Sequence, residues 1–312
     1  MEVEILDKKR TVLGDGFHFW VKIKAKVQTE KMEEMAKRVK EKDVIEDYKK
    51  IQEAYDKSQK DIEELKKQLA EAKGEKKRNQ VEAKITNDER LFQANEWFEK
   101  GLKHWRNQQY DEAIESFTSV IALTPNDAKA YTMRGVAYNG KGQYDRAIED
   151  YNKAIALDPN LALAYSNRGL YYNGNKQYDR AIEDFTKVIA INPNDTHAFY
   201  ERGVAYHNKD QYDRAIGDYN KAIALNPNYG IAYYMRGNAY SDKGQYDRAI
   251  EDFNIAIVLN PNSGVAFFTY NNRGYAYDKL GNMGRAISDY QKAGDLGNKS
   301  GCKNLQGALR DR

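Results

Sequence analysis

One phrase recurs along most of this chain and constrains its fold more than any other feature. In residues 128–160 it reads AKAYTMRGVAYNGKGQYDRAIEDYNKAIALDPN, and its signature glycine returns as Gly135, Gly169, Gly203 and Gly237, 34 residues apart each time. Weaker copies precede and follow these four. A fixed period of this length indicates a stacked repeat architecture.

Each copy reads as a pair of helices. Tyr131, Gly135 and Tyr138 lie at helical spacing on one face of a first helix, and the tract Gly-Lys-Gly then breaks that helix. The second helix carries its own apolar stripe and stops before Pro159, since proline removes a backbone donor. Gly135 and Ala147 are expected where the two helices cross. One pair cannot bury its apolar face alone, so neighbouring pairs must stack.

These residues resemble the tetratricopeptide repeat family. The first two copies match its signature at Trp97, Gly101, Ala113, Phe117, Pro125, Tyr131, Gly135, Tyr138, Ala147, Tyr151 and Pro159. The resemblance implies an all-α fold, a right-handed α-solenoid of about six helix pairs with a C-terminal capping helix. An amphipathic helical or coiled-coil segment and a short N-terminal β segment precede it.

The sequence divides into five predicted parts. They are a β-hairpin-like segment (1–28), an amphipathic or coiled-coil helix (29–73), a linker with an N-terminal capping helix (74–93), six repeats (94–297) and a C-terminal capping helix (298–312). The six repeats are predicted at 94–127, 128–161, 162–195, 196–229, 230–263 and 267–297.

The first 28 residues alternate between apolar and polar side chains from Phe17 to Val27, which predicts a strand. A lone hairpin is marginal in water, so three explanations remain open. The segment packs on the following helices, pairs with another copy, or ends a domain truncated here. Truncation would also leave open a missing leader.

The stretch from Val44 to Ala72 is rich in Lys and Glu and carries apolar or aromatic residues at heptad core spacing. One interpretation is a coiled-coil homodimer through residues 44–72. The other is a single amphipathic helix folded against the repeats, because two tyrosines and a serine weaken the heptad core.

Composition argues against several classes of function. The 50 basic and 47 acidic residues nearly cancel, so no nucleic-acid partner is expected. Neither a membrane span nor a secretory signal is expected, which favours a cytoplasmic protein. The only cysteine, Cys302, is expected to be buried in the capping helix.

Nothing in the sequence predicts a catalytic site, a cofactor or a metal site. His197 and His207 share a predicted helix but lie ten residues apart, about 15 Å along the axis, too far to share one metal ion. Recurring Arg and Asp residues, such as Arg168 and Asp184, are predicted to form structural ion pairs between helices. Repeat one carries Lys100 and Ser116 instead, so the pairing should fail there.

The family resemblance implies that one face of the first helices lines a concave groove that receives peptides. We number repeat positions from Ala128 as position 1; positions 2, 5, 9 and 12 then face the groove. The clamp with which some family members hold chaperone C-termini is absent, since Asn167 has Thr132, Val136, His197 and Glu201 around it. The candidate groove residues are Phe98, Leu102, Trp105, Thr132, Asn139, Leu170, Asn173, His197, Tyr200, Val204, His207, Tyr234, Asn238, Phe268, Asn271 and Tyr275.

An apolar and aromatic groove predicts a non-catalytic scaffold that binds a protein or peptide with bulky apolar anchors, mainly through Phe98, Trp105, Tyr200, Tyr234 and Tyr275. Two alternatives remain. In one, the chain self-assembles through its N-terminal stem and fills its own groove. In the other, it is an accessory part of an enzyme whose catalytic domain lies upstream.

Overall fold

The computed structural model describes residues 53, 57, 60–72, 75–261, 265–297 and 299–310, and all regular structure within these ranges is helical. The helices are α1 (60–71), α2 (Glu75–Arg106), α3 (Tyr110–Leu123), α4 (Ala128–Gly140), α5 (Tyr144–Leu157), α6 (Ala162–Gly174), α7 (Tyr178–Ile191), α8 (Thr196–Asn208), α9 (Tyr212–Leu225), α10 (Gly230–Asp242), α11 (Tyr246–Leu259), α12 (Ala266–Lys279), α13 (Met283–Asp295) and α14 (Lys299–Arg310). The β segment predicted for residues 1–28 lies outside the described residues.

The helices form the predicted pairs, which stack in chain order into an α-solenoid. Local sequence sets the helix ends. Asp127 caps α4 by accepting a hydrogen bond from the Ala130 N–H at 3.0 Å, and Asp195 caps α8 through Ala198 at 2.9 Å. Each turn within a pair holds one residue with positive φ, and these residues are Gln108, Gly142, Lys176, Asp210, Gly244 and Gly281. The Gly-Lys-Gly tract is therefore a helix-to-helix turn, as predicted.

The signature glycine allows the two helices of a repeat to approach closely. A Cβ atom added to Gly203 would lie 2.6 Å from Cε1 of Tyr219, and one added to Gly135 would lie 3.2 Å from the carbonyl oxygen of Ala147. The first separation is too short for carbon in a packed core, and the second is tighter than most contacts of a Cβ atom. The predicted crossing at Gly135 and Ala147 is confirmed.

The predicted Arg–Asp pairs form within each repeat from the second to the sixth. Arg168 donates from Nε and Nη2 to Asp184 at 2.9 and 2.7 Å, and its Nη1 reaches Asn152 of the preceding repeat. Burial raises the pKa of Asp184 although Arg168 opposes this shift. The equivalent pairs are Arg134–Asp150, Arg202–Asp218, Arg236–Asp252 and Arg273–Asp289.

Repeat one lacks this pair, as predicted. Ser116 instead donates to the Glu112 carbonyl at 2.7 Å, and the Lys100 ammonium lies 4.5 Å from the centroid of the Trp97 ring. The chain thus contains, at the same repeat positions, a natural arrangement in which the aspartate is absent and the cation is an exposed lysine.

Tyr151, at position 24 of repeat two, is fully buried, and its hydroxyl has no hydrogen-bond partner among the described residues. Repeats one, three and five carry Phe at the same position. Because a buried polar group without a partner is destabilising, we expect Tyr151→Phe to raise the free energy of unfolding by about 1 kcal/mol. Urea titration followed by circular dichroism measures the change.

The reciprocal substitution, Phe185→Tyr in repeat three, serves as the control and should lower stability by a similar amount. Equal destabilisation by both substitutions would show that the Tyr151 hydroxyl is satisfied.

The N-terminal helices lie side by side. Lys66 of α1 pairs with Glu89 of α2 at 3.3 Å, and Ile62, Val81 and Ile85 are buried. Residues 60–72 therefore fold back on α2 within one chain, while dimerisation through 44–72 stays a prediction. The predicted capping helix and the first helix of repeat one are a single helix, α2.

Helix α14 closes the C-terminal end against α13. Its buried residues include Gly301 and Ala308, whereas Cys302 is exposed. The prediction that Cys302 is buried is wrong, because the glycine lets the α14 backbone pack directly on Ala293 and Gly294. The helix itself, predicted near this position, is present.

Candidate protein-binding groove

The first helices of the repeats line the inner face of the solenoid. Neighbouring first helices, such as α6 and α8 or α8 and α10, contact one another, whereas neighbouring second helices lie farther apart. The curvature therefore places α4, α6, α8, α10 and α12 on the concave side. Side-chain hydrogen bonds cross this side, including Asn173 to Glu201 and Asn272 to Asn238.

The structure separates the predicted groove residues by exposure. Asn139 and Tyr275 are exposed. The half-buried residues are Phe98, Trp105, Leu170, Asn173, His197, Val204, His207, Phe268 and Asn271. The buried residues are Leu102, Thr132, Tyr200, Tyr234 and Asn238.

At position 5 of repeats four and five, the tyrosines Tyr200 and Tyr234 are buried. The Tyr234 ring is 2% exposed, packs 6.2 Å from the Phe253 ring centroid, and its hydroxyl accepts a hydrogen bond from Asn272 at 3.3 Å. The Tyr200 ring packs edge-on against Tyr229 at 5.4 Å. The prediction that Tyr200 and Tyr234 are leading contacts for a partner conflicts with this burial. Both support the wall of the groove.

Other side chains supply the accessible apolar surface. Tyr275 and Leu163 are each 41% exposed on first helices. Tyr275 contacts the Tyr246 ring at 6.3 Å, and Lys279 lies 5.2 Å from the centre of its ring. These residues, with the half-buried Leu170 and Phe268, are where a partner can touch the concave side directly.

The part of the groove formed by repeats four to six, which we call the C-terminal half, carries three carboxylates besides the paired aspartates. They lie on its first helices and are Glu201, Asp242 and Asp278, and Lys279 lies next to the last of them. His197 lies 3.6 Å from Glu201, and His207 lies 3.0 Å from Asp242. The arginines of these helices point to their buried aspartates instead, as in the pair Arg202–Asp218.

Within the described part of the chain, no group of three His, Cys, Asp or Glu side chains is placed to hold a metal ion. None of the described helices is both long and apolar enough to cross a membrane.

Two family models, each described as tetratricopeptide repeat, match this chain. One matches residues 128–161, 162–195, 197–229 and 230–263, and the other matches 97–127 and 269–296. Together these ranges cover more than half of the sequence. The chain therefore belongs to the tetratricopeptide repeat family, and this membership supports a protein-interaction scaffold. No curated protein matches the sequence.

Several solved structures resemble the fold. YrrB, described as a tetratricopeptide repeat protein with an unusual peptide-binding site, is 25% identical, with a TM-score of 0.55, over 64% of this chain and 100% of YrrB. MamA from Desulfovibrio magneticus RS-1 is 25% identical, with a TM-score of 0.51, over 55% of this chain and 97% of its own. The Pseudomonas aeruginosa protein pilF, 16% identical over 72% of this chain and 99% of its own, shares the fold with a TM-score of 0.60.

Sequence reasoning missed two departures from the repeat. Tyr171 stands where four other repeats bury alanine completely, and its ring lies 5.9 Å from that of Tyr144 in the preceding repeat. On the outer helix α11, Ile255 and the 77% exposed Val258 replace the lysine and alanine of repeats two to four. Comparing the copies position by position would have found both.

Proposed function

We propose that this chain is a non-catalytic scaffold that holds a segment of a partner protein in its concave groove. The observation that carries the proposal is the exposed apolar surface of Tyr275 and Leu163. Both side chains lie on the first helices, which line the inner face of the solenoid. Concave apolar surface with a few polar groups is typical of peptide recognition. The similarity to YrrB, a repeat protein with a peptide-binding site, supports the same interpretation.

A direct test selects peptides from a random displayed library on the full chain and measures their affinities by calorimetry. Because aromatic and aliphatic anchors carry most of the energy of such interfaces, we expect Leu163→Ser with Tyr275→Ser to weaken the selected peptides about tenfold or more. Both side chains are partly exposed, so the fold should tolerate their loss.

The matched control lies on the outer helix α11, where Ile255→Ser with Val258→Ser removes exposed apolar surface of similar kind. This pair should change the affinities less than twofold. If the outer pair abolished binding and the groove pair left it intact, the groove would not be the binding surface.

A further inference from the structure

Position 6 carries a carboxylate in two of the six repeats: Glu99 in repeat one, which is half-buried, and Glu201 in repeat four, which is buried. Repeats two, three, five and six carry Met133, Asn167, Met235 and Asn272 there. Glu201 is only 7% exposed, and no Lys or Arg within the described ranges forms an ion pair with it. A buried carboxylate without a fixed cation is costly, so its retention calls for a physical reason.

The neighbours of Glu201 occupy one of its two carboxylate oxygens. The Asn173 side-chain amide donates to Oε2 at 3.2 Å and to the Glu201 backbone carbonyl at 3.1 Å. The other oxygen, Oε1, faces only the Nε2 atom of His197, at 3.6 Å, which is beyond normal hydrogen-bond distance. His197 is half-buried at the groove surface, so movement of its ring would open the path to Oε1.

Two further polar atoms beside this carboxylate lack partners among the described residues. The Asn173 Oδ1 atom is buried and accepts no hydrogen bond, and the hydroxyl of the fully buried Tyr219 is likewise unpaired. The Tyr219 ring lies 6.2 Å from that of Tyr200, the residue preceding Glu201. Burial raises the pKa of Tyr219, and the negative charge of Glu201 raises it further. The cluster therefore holds a carboxylate oxygen and an amide oxygen without a fixed donor, next to a hydroxyl that is free to turn toward a ligand.

The ligand that would complete this cluster is a cation with several N–H donors. An ammonium group is compact and offers three donors, whereas a guanidinium group binds best to both oxygens of a carboxylate at once. Since Asn173 already holds Oε2, the remaining geometry favours ammonium. Asp242 and Asp278 are two further carboxylates on the first helices of the C-terminal half.

We propose that Glu201 and Asn173 form a subsite for the ammonium group of a lysine side chain, carried by an extended segment of a partner protein in the groove. This inference rests on the proposed function, and it names the chemistry that the groove recognises. The ammonium takes the place of His197 at Oε1, and Asn173 keeps the carboxylate in position. Apolar residues flanking the lysine contact the exposed side chains of the groove.

The test uses the full chain and a defined probe, the peptide acetyl-Ala-Phe-Lys-Phe-Ala-amide, followed by nuclear magnetic resonance of the side-chain amides. We expect the Asn173 amide signal to shift on titration, and Glu201→Gln to weaken the probe about tenfold, the loss typical of one charge-assisted hydrogen bond. Acetylation of the probe lysine should abolish binding, and arginine in its place should bind more weakly.

Matched variants separate recognition from folding. Glu201→Met copies the residue of repeats two and five, so it should fold normally and lose the probe. Glu183→Gln, an exposed carboxylate on the outer helix α7, should leave probe affinity unchanged. Tyr219→Phe should weaken the probe, whereas Tyr151→Phe, the same change in repeat two, should not.

Equal probe affinity for the wild type and Glu201→Gln would overturn the assignment, as would no binding to the wild type at millimolar probe. Either result would leave the library test at Leu163 and Tyr275 to decide the proposed function separately.

Residues 17–27 carry Lys22, Lys24 and Lys26 and lie outside the described ranges. If Glu201→Gln accelerated hydrogen exchange in that segment without probe, the occupant would be this chain itself and not a separate partner.

Discussion

Asp184→Ser should lower the free energy of unfolding by about 3 kcal/mol, because it leaves the Arg168 guanidinium beside a buried site without its counter-charge. Asp184 is almost fully buried and accepts two hydrogen bonds from Arg168. Burial raises the pKa of Asp184 against the pull of Arg168, which indicates that desolvation offsets much of the attraction in this pair. A guanidinium left unpaired at this site is therefore costly, whereas a cation that reaches solvent should cost little.

The chain supplies the comparison that tests this argument. Repeat one carries Lys100 and Ser116 at the same two positions, and it folds with the same helix pair. Arg168→Lys with Asp184→Ser copies that arrangement, in which the exposed Lys100 keeps its ammonium in solvent, and should recover stability to within about 1 kcal/mol of the wild type. Urea unfolding by circular dichroism measures both variants, with Glu183→Ser as the exposed control. A double variant no more stable than Asp184→Ser alone would contradict the argument.

The repeat fold was predictable from sequence because a period of 34 residues fixes both the helix pairs and their stacking. Every copy repeats the same close contact, as at Gly135 and Tyr151, so each confirms the interpretation of the others. The ion pairs were equally predictable, because Arg and Asp recur at the same two positions in repeats two to six. Such recurrence indicates a contact that each of these repeats makes in the same way. Lys100 and Ser116 at these positions of repeat one indicated that the series of ion pairs ends there.

The groove was predictable only in outline. Repeat position tells which helix face a residue lies on, but the depth of burial depends on the side chains of the next repeat. Tyr200 is covered because Tyr229 of the following loop packs over it, and the much smaller Thr132 is buried as well, with its hydroxyl donating to the Ala128 carbonyl. Neither outcome follows from position 5 alone.

The polar cluster at Glu201 could not be predicted from the sequence either. Its neighbour Asn173 lies 28 residues away, on the preceding first helix, and only the superhelical packing brings their side chains to hydrogen-bond distance. What the sequence did show is that position 6 varies among the copies. Position 6 adjoins the groove-facing position 5, and variation there suits recognition of a partner, since invariant positions serve the stacking.

Tyr234→Ala should be among the most destabilising single changes in this protein, at about 3–5 kcal/mol, because it empties a volume that the following repeat has closed. The ring is 2% exposed, and its hydroxyl accepts a hydrogen bond from Asn272. Tyr275→Ala should cost less than about 1 kcal/mol, since that ring is 41% exposed and leaves no enclosed cavity when removed. Thermal unfolding by calorimetry measures both changes.

Tyr234→Phe isolates the packing from the hydrogen bond, and we expect it to cost about 1 kcal/mol. A peptide that binds the groove should respond in the opposite order, so that Tyr275→Ala weakens it while Tyr234→Phe leaves it unchanged. If Tyr234→Ala proved as stable as Tyr275→Ala, the ring of Tyr234 would have to be free in solution. It would then be an anchor for the partner instead of part of the wall.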